Sequence, residues 1–161
     1  MSVSGKSTYR ERADSALKVL DREISNRNYY RANKELELSR LKSTLGRGIS
    51  KSVRFELLED IYEEYSFYQF DSAFVYARKS FELAREMGDS AAVNRSYLML
   101  MKCFSSVGLL KESSDLKNKI DTAYLSHSDK LNFLRQTASL YINLNSFLGD
   151  NSPISCYYDA K

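Results

Sequence analysis

Few residues in this 161-residue chain are able to do chemistry, and their spacing excludes most catalytic and metal arrangements. His127 is the single histidine, set in the polar stretch Ser126-His127-Ser128-Asp129, so a His-rich metal set cannot come from the chain's own residues and any Ser-His-Asp or Cys-His chemistry would rest on this one residue. It reads as an exposed turn residue. Cys103 and Cys156 lie far apart with no Cys-x-x-Cys pair or Cys/His cluster, which leaves neither a redox motif nor a disulfide scaffold. Ser4-Gly5-Lys6-Ser7-Thr8 ends like a phosphate-binding loop, but the glycine five residues earlier and the strand that would feed the loop are missing. Gly46-Arg47-Gly48 follows a helical pattern and is a helix stop, not a dinucleotide fingerprint. Glu59, Asp60, Glu63 and Glu64 form two carboxylate pairs at i, i+4 that could hold a cation; without a Glu-x-x-His partner, a solvated acidic face is the simpler reading. The expectation is a protein that is not an enzyme, with no catalytic residue, no cofactor, no metal and no small-molecule substrate.

Charge gives a second possible chemistry. The net charge is only +3, but residues 1 to 54 hold 13 basic against 6 acidic side chains, and residues 55 to 90 hold 3 against 9. A basic N-terminal part can attract phosphates, and the cluster Arg22, Arg27, Arg31, Arg40 and Lys42 would carry nucleic-acid binding as the alternative function. Signs are mixed within single turns, however, as in Asp21-Arg22-Glu23 and Lys34-Glu35, and no recognition-helix motif is present. A solvated face is the favoured reading, and nucleic acid is not the expected partner.

The elements that must position any site are helices. One proline and six glycines are too few breakers for an all-β chain, and no apolar run is long enough to span a membrane. Thr8 with Glu11 reads as a capping box ahead of Ala13, Leu17, Leu20 and Ile24, with Asn26 and Asn28 interrupting. A second helix carries Tyr30, Leu38, Leu41 and Leu45 and stops at Gly46, expected to be left-handed. Ser50 or Ser52 starts a third, with Val53, Leu57, Leu58, Ile61 and Tyr65 inward. Asp71 is expected to cap a fourth, ending at Gly88, and Asp89 a fifth, ending at Gly108. The sixth carries Leu116 and Ile120. Ser128 is expected to open the seventh, with Leu131, Leu134, Ala138, Tyr141 and Leu144 inward, and Ser152-Pro153 an eighth. Phe74, Ala77, Phe81, Leu100, Met101 and Phe104 are expected to form the central buried seam.

A shift of about forty residues superposes Val53 on Val93 and Phe133, Leu58 on Leu98 and Ala138, and Ile61 on Met101 and Tyr141. Among the second helices it superposes Ala73 on Ser113 and Pro153. Such a period predicts an all-α fold, an α-solenoid of about four antiparallel helical hairpins, because one hairpin cannot bury its apolar face without a neighbour. Residues 1–161 are expected to form a single repeat domain cut short at its C-terminus.

Tyr68-Gln69-Phe70-Asp71-Ser72-Ala73-Phe74-Val75-Tyr76-Ala77-Arg78-Lys79 resembles the second helix of a tetratricopeptide repeat, with Ala73 at the small position where paired helices approach closely. Gly108, Leu110 and Ser113 resemble the Gly-x-Tyr-x-x-Ala portion of the next unit. The usual period of thirty-four is exceeded, and the Trp and Gly of the first helix and the terminal Pro are absent, so the match is to a divergent repeat. Leu20-Asp21-Arg22-Glu23-Ile24 with Asn26-Arg27, Leu41-Lys42 and Glu63-Glu64-Tyr65 is similar to the N-terminal sensor part of membrane-anchored tetratricopeptide regulators of Gram-negative gut bacteria. The resemblance implies a peptide or protein partner, a periplasmic location with the signal peptide removed, and a membrane helix and output region beyond the repeats; a cytoplasmic location is the alternative. In the family register the concave face carries Tyr62, Arg95, Leu98, Lys102, Arg135, Ile142 and Asn145, a cationic and partly aromatic groove suited to an acidic or C-terminal peptide segment.

Overall fold

The computed structural model describes residues 4–46 and 48–148, and the side chains of 8–46 and 48–146; the eighth helix expected at Ser152-Pro153 lies outside them. The described residues form helices α1 (Ser4–Ser25), α2 (Arg27–Thr44), α3 (Lys51–Ser66), α4 (Phe70–Met87), α5 (Ser90–Ser106), α6 (Leu110–Lys117) and α7 (His127–Leu148), with a short 3₁₀ turn at Thr122–Tyr124 before α7. The chain divides into two compact units, Met1–Arg40 and Leu41–Lys161.

In the first unit, Asn26 closes α1 by donating its N–H to the carbonyls of Arg22 and Glu23. Helix α2 does not fold back alongside α1. The stripe Leu17, Leu20 and Ile24 stays exposed, as does Tyr30, whose hydroxyl donates to the Glu23 carboxylate. The composition of α2 accounts for this. An antiparallel partner would have to offer a continuous apolar face opposite α1, and the first turns of α2 interrupt Tyr29, Tyr30 and Ala32 with Arg27, Arg31, Lys34 and Glu35.

The second unit is an array of helix pairs. Helices α3 and α4 form one antiparallel pair and α5 and α6 the next, with α4 also packed on α5, and α7 on α5 and α6. Each turn has a local cause. The Ser50 hydroxyl accepts the Val53 N–H at 3.2 Å and starts α3. Gly88 ends α4 at φ 65°, a left-handed geometry a side chain would strain, and the Asp89 carboxylate then accepts the N–H groups of Ala91 and Ala92 at 2.9 and 3.1 Å to start α5.

Five expected boundaries move, one of them at α6, which ends at Lys117 and leaves Ile120 beyond it. Thr8 lies inside α1, which is already helical at Ser4, so it caps nothing. Gly48 at φ 102°, not Gly46, takes the left-handed geometry after α2. Helix α4 begins at Phe70, which puts Asp71 in the first turn, where its carboxylate faces the positive end of the helix dipole without capping it. Ser126, not Ser128, starts α7, its hydroxyl accepting the Asp129 N–H at 3.1 Å.

The core is built from Phe55, Leu58, Ile61, Tyr62 and Tyr65 of α3, Ala73, Ala77, Leu83 and Ala84 of α4, and Ala92, Leu98, Met99, Leu100, Met101 and Cys103 of α5. The α4–α5 seam forms as expected, with Phe74 against Phe104 (ring centroids 5.8 Å apart) and Phe81 against Tyr97 (5.2 Å). Its three phenylalanines are half-buried, because they pack at the rim of the seam, while Ala77, Leu100 and Met101 fill its centre. Small residues set the closest approaches. Ala73 is buried, and Ser113, equally buried, donates to the Met101 carbonyl at 3.1 Å across the α5–α6 contact. Ser80 and Ser96 are buried too and satisfy their hydroxyls on the carbonyls of Tyr76 and Ala92, four residues back. Asn94 ties the segment after α6 to α5 by accepting the Asp121 N–H at 2.6 Å.

Helix α7 turns Leu140, with Phe133, Thr137 and Leu144, toward its neighbours and leaves Leu131, Leu134, Ala138 and Tyr141 exposed. Apolar residues occupy both sides of this helix, so its periodicity does not choose the packed face.

Candidate functional site

The first helices of the pairs, α3 and α5, and helix α7 line a groove of about 530 Å³. Helix α3 contributes Glu59, Tyr62, Glu63 and Ser66, with Phe67 just beyond its end; helix α5 contributes Arg95, Leu98, Met99, Lys102, Ser105 and Ser106; helix α7 contributes Asp129, Asn132, Arg135, Gln136, Ser139 and Asn143. Of the seven residues assigned to a concave face, Tyr62, Arg95, Leu98, Lys102 and Arg135 line this groove. Ile142 and Asn145 do not line it and are exposed, and Ser139 and Asn143 line it instead.

At one end Arg95 donates to the Glu59 carboxylate at 2.9 Å and lies over the Phe55 ring, 5.0 Å from its centroid. The side chains of Arg95 and Glu59 are only 33% and 23% exposed, so water screens the pair little. Burial holds the Glu59 carboxyl above its ordinary range; the Arg95 bond offsets part of this, and the Asp129 and Glu63 carboxylates add to it. Below the groove floor the Tyr62 hydroxyl donates to the Met99 carbonyl at 3.3 Å, and burial pushes its phenol far up. Burial also pushes the neighbouring Cys103 thiol up to about 11, and it packs as a small apolar side chain.

At the other end Lys102 donates to the Ser66 hydroxyl at 3.2 Å, with its ammonium 4.9 Å from the Phe67 ring centroid. Among the described residues no carboxylate pairs with Lys102 or Arg135. Ser105 Oγ and Gln136 Oε1 are buried groove atoms that have no hydrogen-bond partner.

Two expectations about charge change. The groove is not cationic, because Glu59, Glu63 and Asp129 balance Arg95, Lys102 and Arg135. Glu59 and Glu63 accordingly belong to the groove and not wholly to a solvated face, and no metal-ligating cluster occurs among the described residues. The period does not mark the carboxylates or the Ser, Asn and Gln residues of the groove as binding residues; the i, i+4 pairing of Glu59 and Glu63 is the one sequence signal for them. In the basic N-terminal set, Arg22 is paired with Glu23 at 3.2 Å, and Arg27, Arg31 and Arg40 are exposed on α2.

Paired helices stacked in order, with a groove lined by their first members, define a tetratricopeptide-type helical repeat protein. The chain belongs to the SusR N-terminal TPR domain family, whose match covers residues 24–161. No curated protein and no solved structure gives a match. Domains of this type are generally non-catalytic modules that mediate protein interactions, and no described helix is long and apolar enough to cross a membrane.

Proposed function

We propose that this chain is the non-catalytic, peptide-binding sensor module of a larger bacterial regulatory protein, that it works in the periplasm, and that the α3–α5–α7 groove is its binding surface. The observation that carries this reading is the convergence of Glu59 and Tyr62, Arg95 and Lys102, and Arg135 and Gln136 on one groove from three helices far apart in sequence. The groove offers both charge signs, amides and hydroxyls on fixed helices, including polar atoms that still lack partners, which suits an extended segment with its own backbone and side-chain polar groups.

The test is selection of random dodecapeptides displayed on phage against the full 161-residue chain. Binders lost on an Arg135→Glu, Asn132→Ala double variant that keeps the parent melting temperature support the reading. Selection that yields no groove-dependent peptide, alongside DNA or RNA binding that falls steeply with salt and depends on Arg27, Arg31 and Arg40, rejects it in favour of a phosphate-binding face.

A further inference from the structure

Next to the groove lies a second, smaller recess of about 250 Å³, lined by Tyr68, Gln69, Phe70, Ala73 and Cys103 together with Tyr62, Ser66, Phe67, Lys102 and Ser106. The last five also line the groove, so the two spaces share a wall. Three features of that wall point to an occupant. The recess is apolar at its base, where Tyr62, Ala73 and Cys103 are buried. Phe67, the residue that closes α3, stands at its mouth 83% exposed, an unusual cost for a large ring unless something covers it. Lys102 sits over that ring and donates to the Ser66 hydroxyl; among the described residues no carboxylate forms an ion pair with it, whereas Arg95 at the other end is paired with Glu59.

Resting on the peptide-binding reading above, we infer that the recess is a specificity pocket: it takes one large apolar side chain, aromatic or leucine, of a peptide lying in the groove, and Lys102 pairs with an acidic residue next to that anchor. The recess supplies the buried area, Phe67 covers the anchor from the solvent side, and Lys102 gives the sequence preference through complementary charge. The pocket lies at the α3–α4 turn, which supplies the consecutive residues Phe67, Tyr68, Gln69 and Phe70, and α5 closes it with Lys102, Cys103 and Ser106.

The experiment uses the dodecapeptides selected against the full chain, resynthesised with the anchor position as Phe, Leu or Ala and the adjacent position as Asp, Asn or Lys, and titrated by fluorescence anisotropy. The expected result is a shared aromatic-or-leucine residue beside Asp or Glu, at least about tenfold weaker binding when the anchor becomes Ala, and a similar loss on Phe67→Ala. Lys102→Glu should reverse the order of Asp and Lys at the adjacent position, a change that general destabilisation does not produce. Groove-dependent peptides that lack the anchor, or that bind Phe67→Ala as well as the parent, overturn the pocket while leaving the peptide-binding reading intact. A chain that selects no groove-dependent peptide overturns both.

Discussion

Helices α1 and α5 carry apolar stripes of the same helical period and meet opposite fates. On α1, Leu17, Leu20 and Ile24 are about half exposed; on α5, Leu98, Leu100 and Met101 are buried, Met101 completely. The electrostatics follow. The Arg22–Glu23 pair of α1 is open to water on both sides, whereas Arg95 and Glu59 meet where water is scarce. Their glutamates shift in opposite directions: hydrogen bonds from Tyr30 and Arg22 lower Glu23, and burial raises Glu59. An amphipathic stripe thus specifies which face of a helix can be buried; a neighbour with a matching face decides whether it is. Helix α5 has α4 and α6 on either side, and α1 has no such partner in its own unit.

The largest test of this contrast is side-chain truncation. Phe55, 1% exposed on α3, should cost about 3–5 kcal/mol as Phe55→Ala, while Leu20→Ala on α1 should stay within about 0.5 kcal/mol, both read from urea denaturation of the full chain. Equal losses would show that the α1 stripe is buried after all. Charge reversal is next in size. Arg95→Glu places a second carboxylate against half-buried Glu59 and should destabilise by about 2 kcal/mol, whereas Arg22→Glu and Arg135→Glu, both exposed, should change stability by no more than about 0.5 kcal/mol. Equal effects from Arg95 and Arg22 would erase the electrostatic half of the comparison.

The smallest effect is in pH dependence and has opposite signs in the two regions. Because folding raises Glu59, its contribution is present at acid pH and lost as pH rises through its folded value, so Glu59→Gln should gain on the parent between acid and neutral pH. Folding lowers Glu23, so its contribution is present above its unfolded value and lost as pH falls, and Glu23→Gln should lose ground over the same interval. Melting temperatures across that interval that move the two variants in the same direction would contradict this assignment.

Much of the repeat architecture was legible because its signals are local and strong. Ser50 and Asp89 mark helix starts through side-chain oxygens that accept backbone N–H groups, Gly88 and Gly108 mark helix ends through left-handed backbone geometry, and Ala73 and Ser113 mark close helix contacts. The groove was legible to a distance set by the period. The caps of α3 and α5, Ser50 and Asp89, are 39 residues apart, but Asp89 and the α7 cap Ser126 are only 37 apart, because α6 is short and the 3₁₀ turn leads directly into α7. A uniform shift of forty therefore carries Lys102 to Ile142, nearly a turn past Ser139, the residue that lines the groove. The open face of α1 was not legible for a different reason. Periodicity reports one helix at a time, and whether Arg27, Arg31 and Lys34 can serve as a partner surface is a property of two.

The neighbour-to-neighbour order of packing from α3 to α7 also bears on how the array is assembled. Each helix finds its contacts on elements close to it in the chain, so few loops must close over long distances before packing begins to offset chain entropy. Helix α4, packed on α3 before it and α5 after it, is the natural starting point, with Phe74 and Phe81 meeting Phe104 and Tyr97 early and α6 and α7 adding in turn. Folding of this unit should be fast and sequential, and the groove, which needs side chains from α3, α5 and α7 together, is completed in its last step.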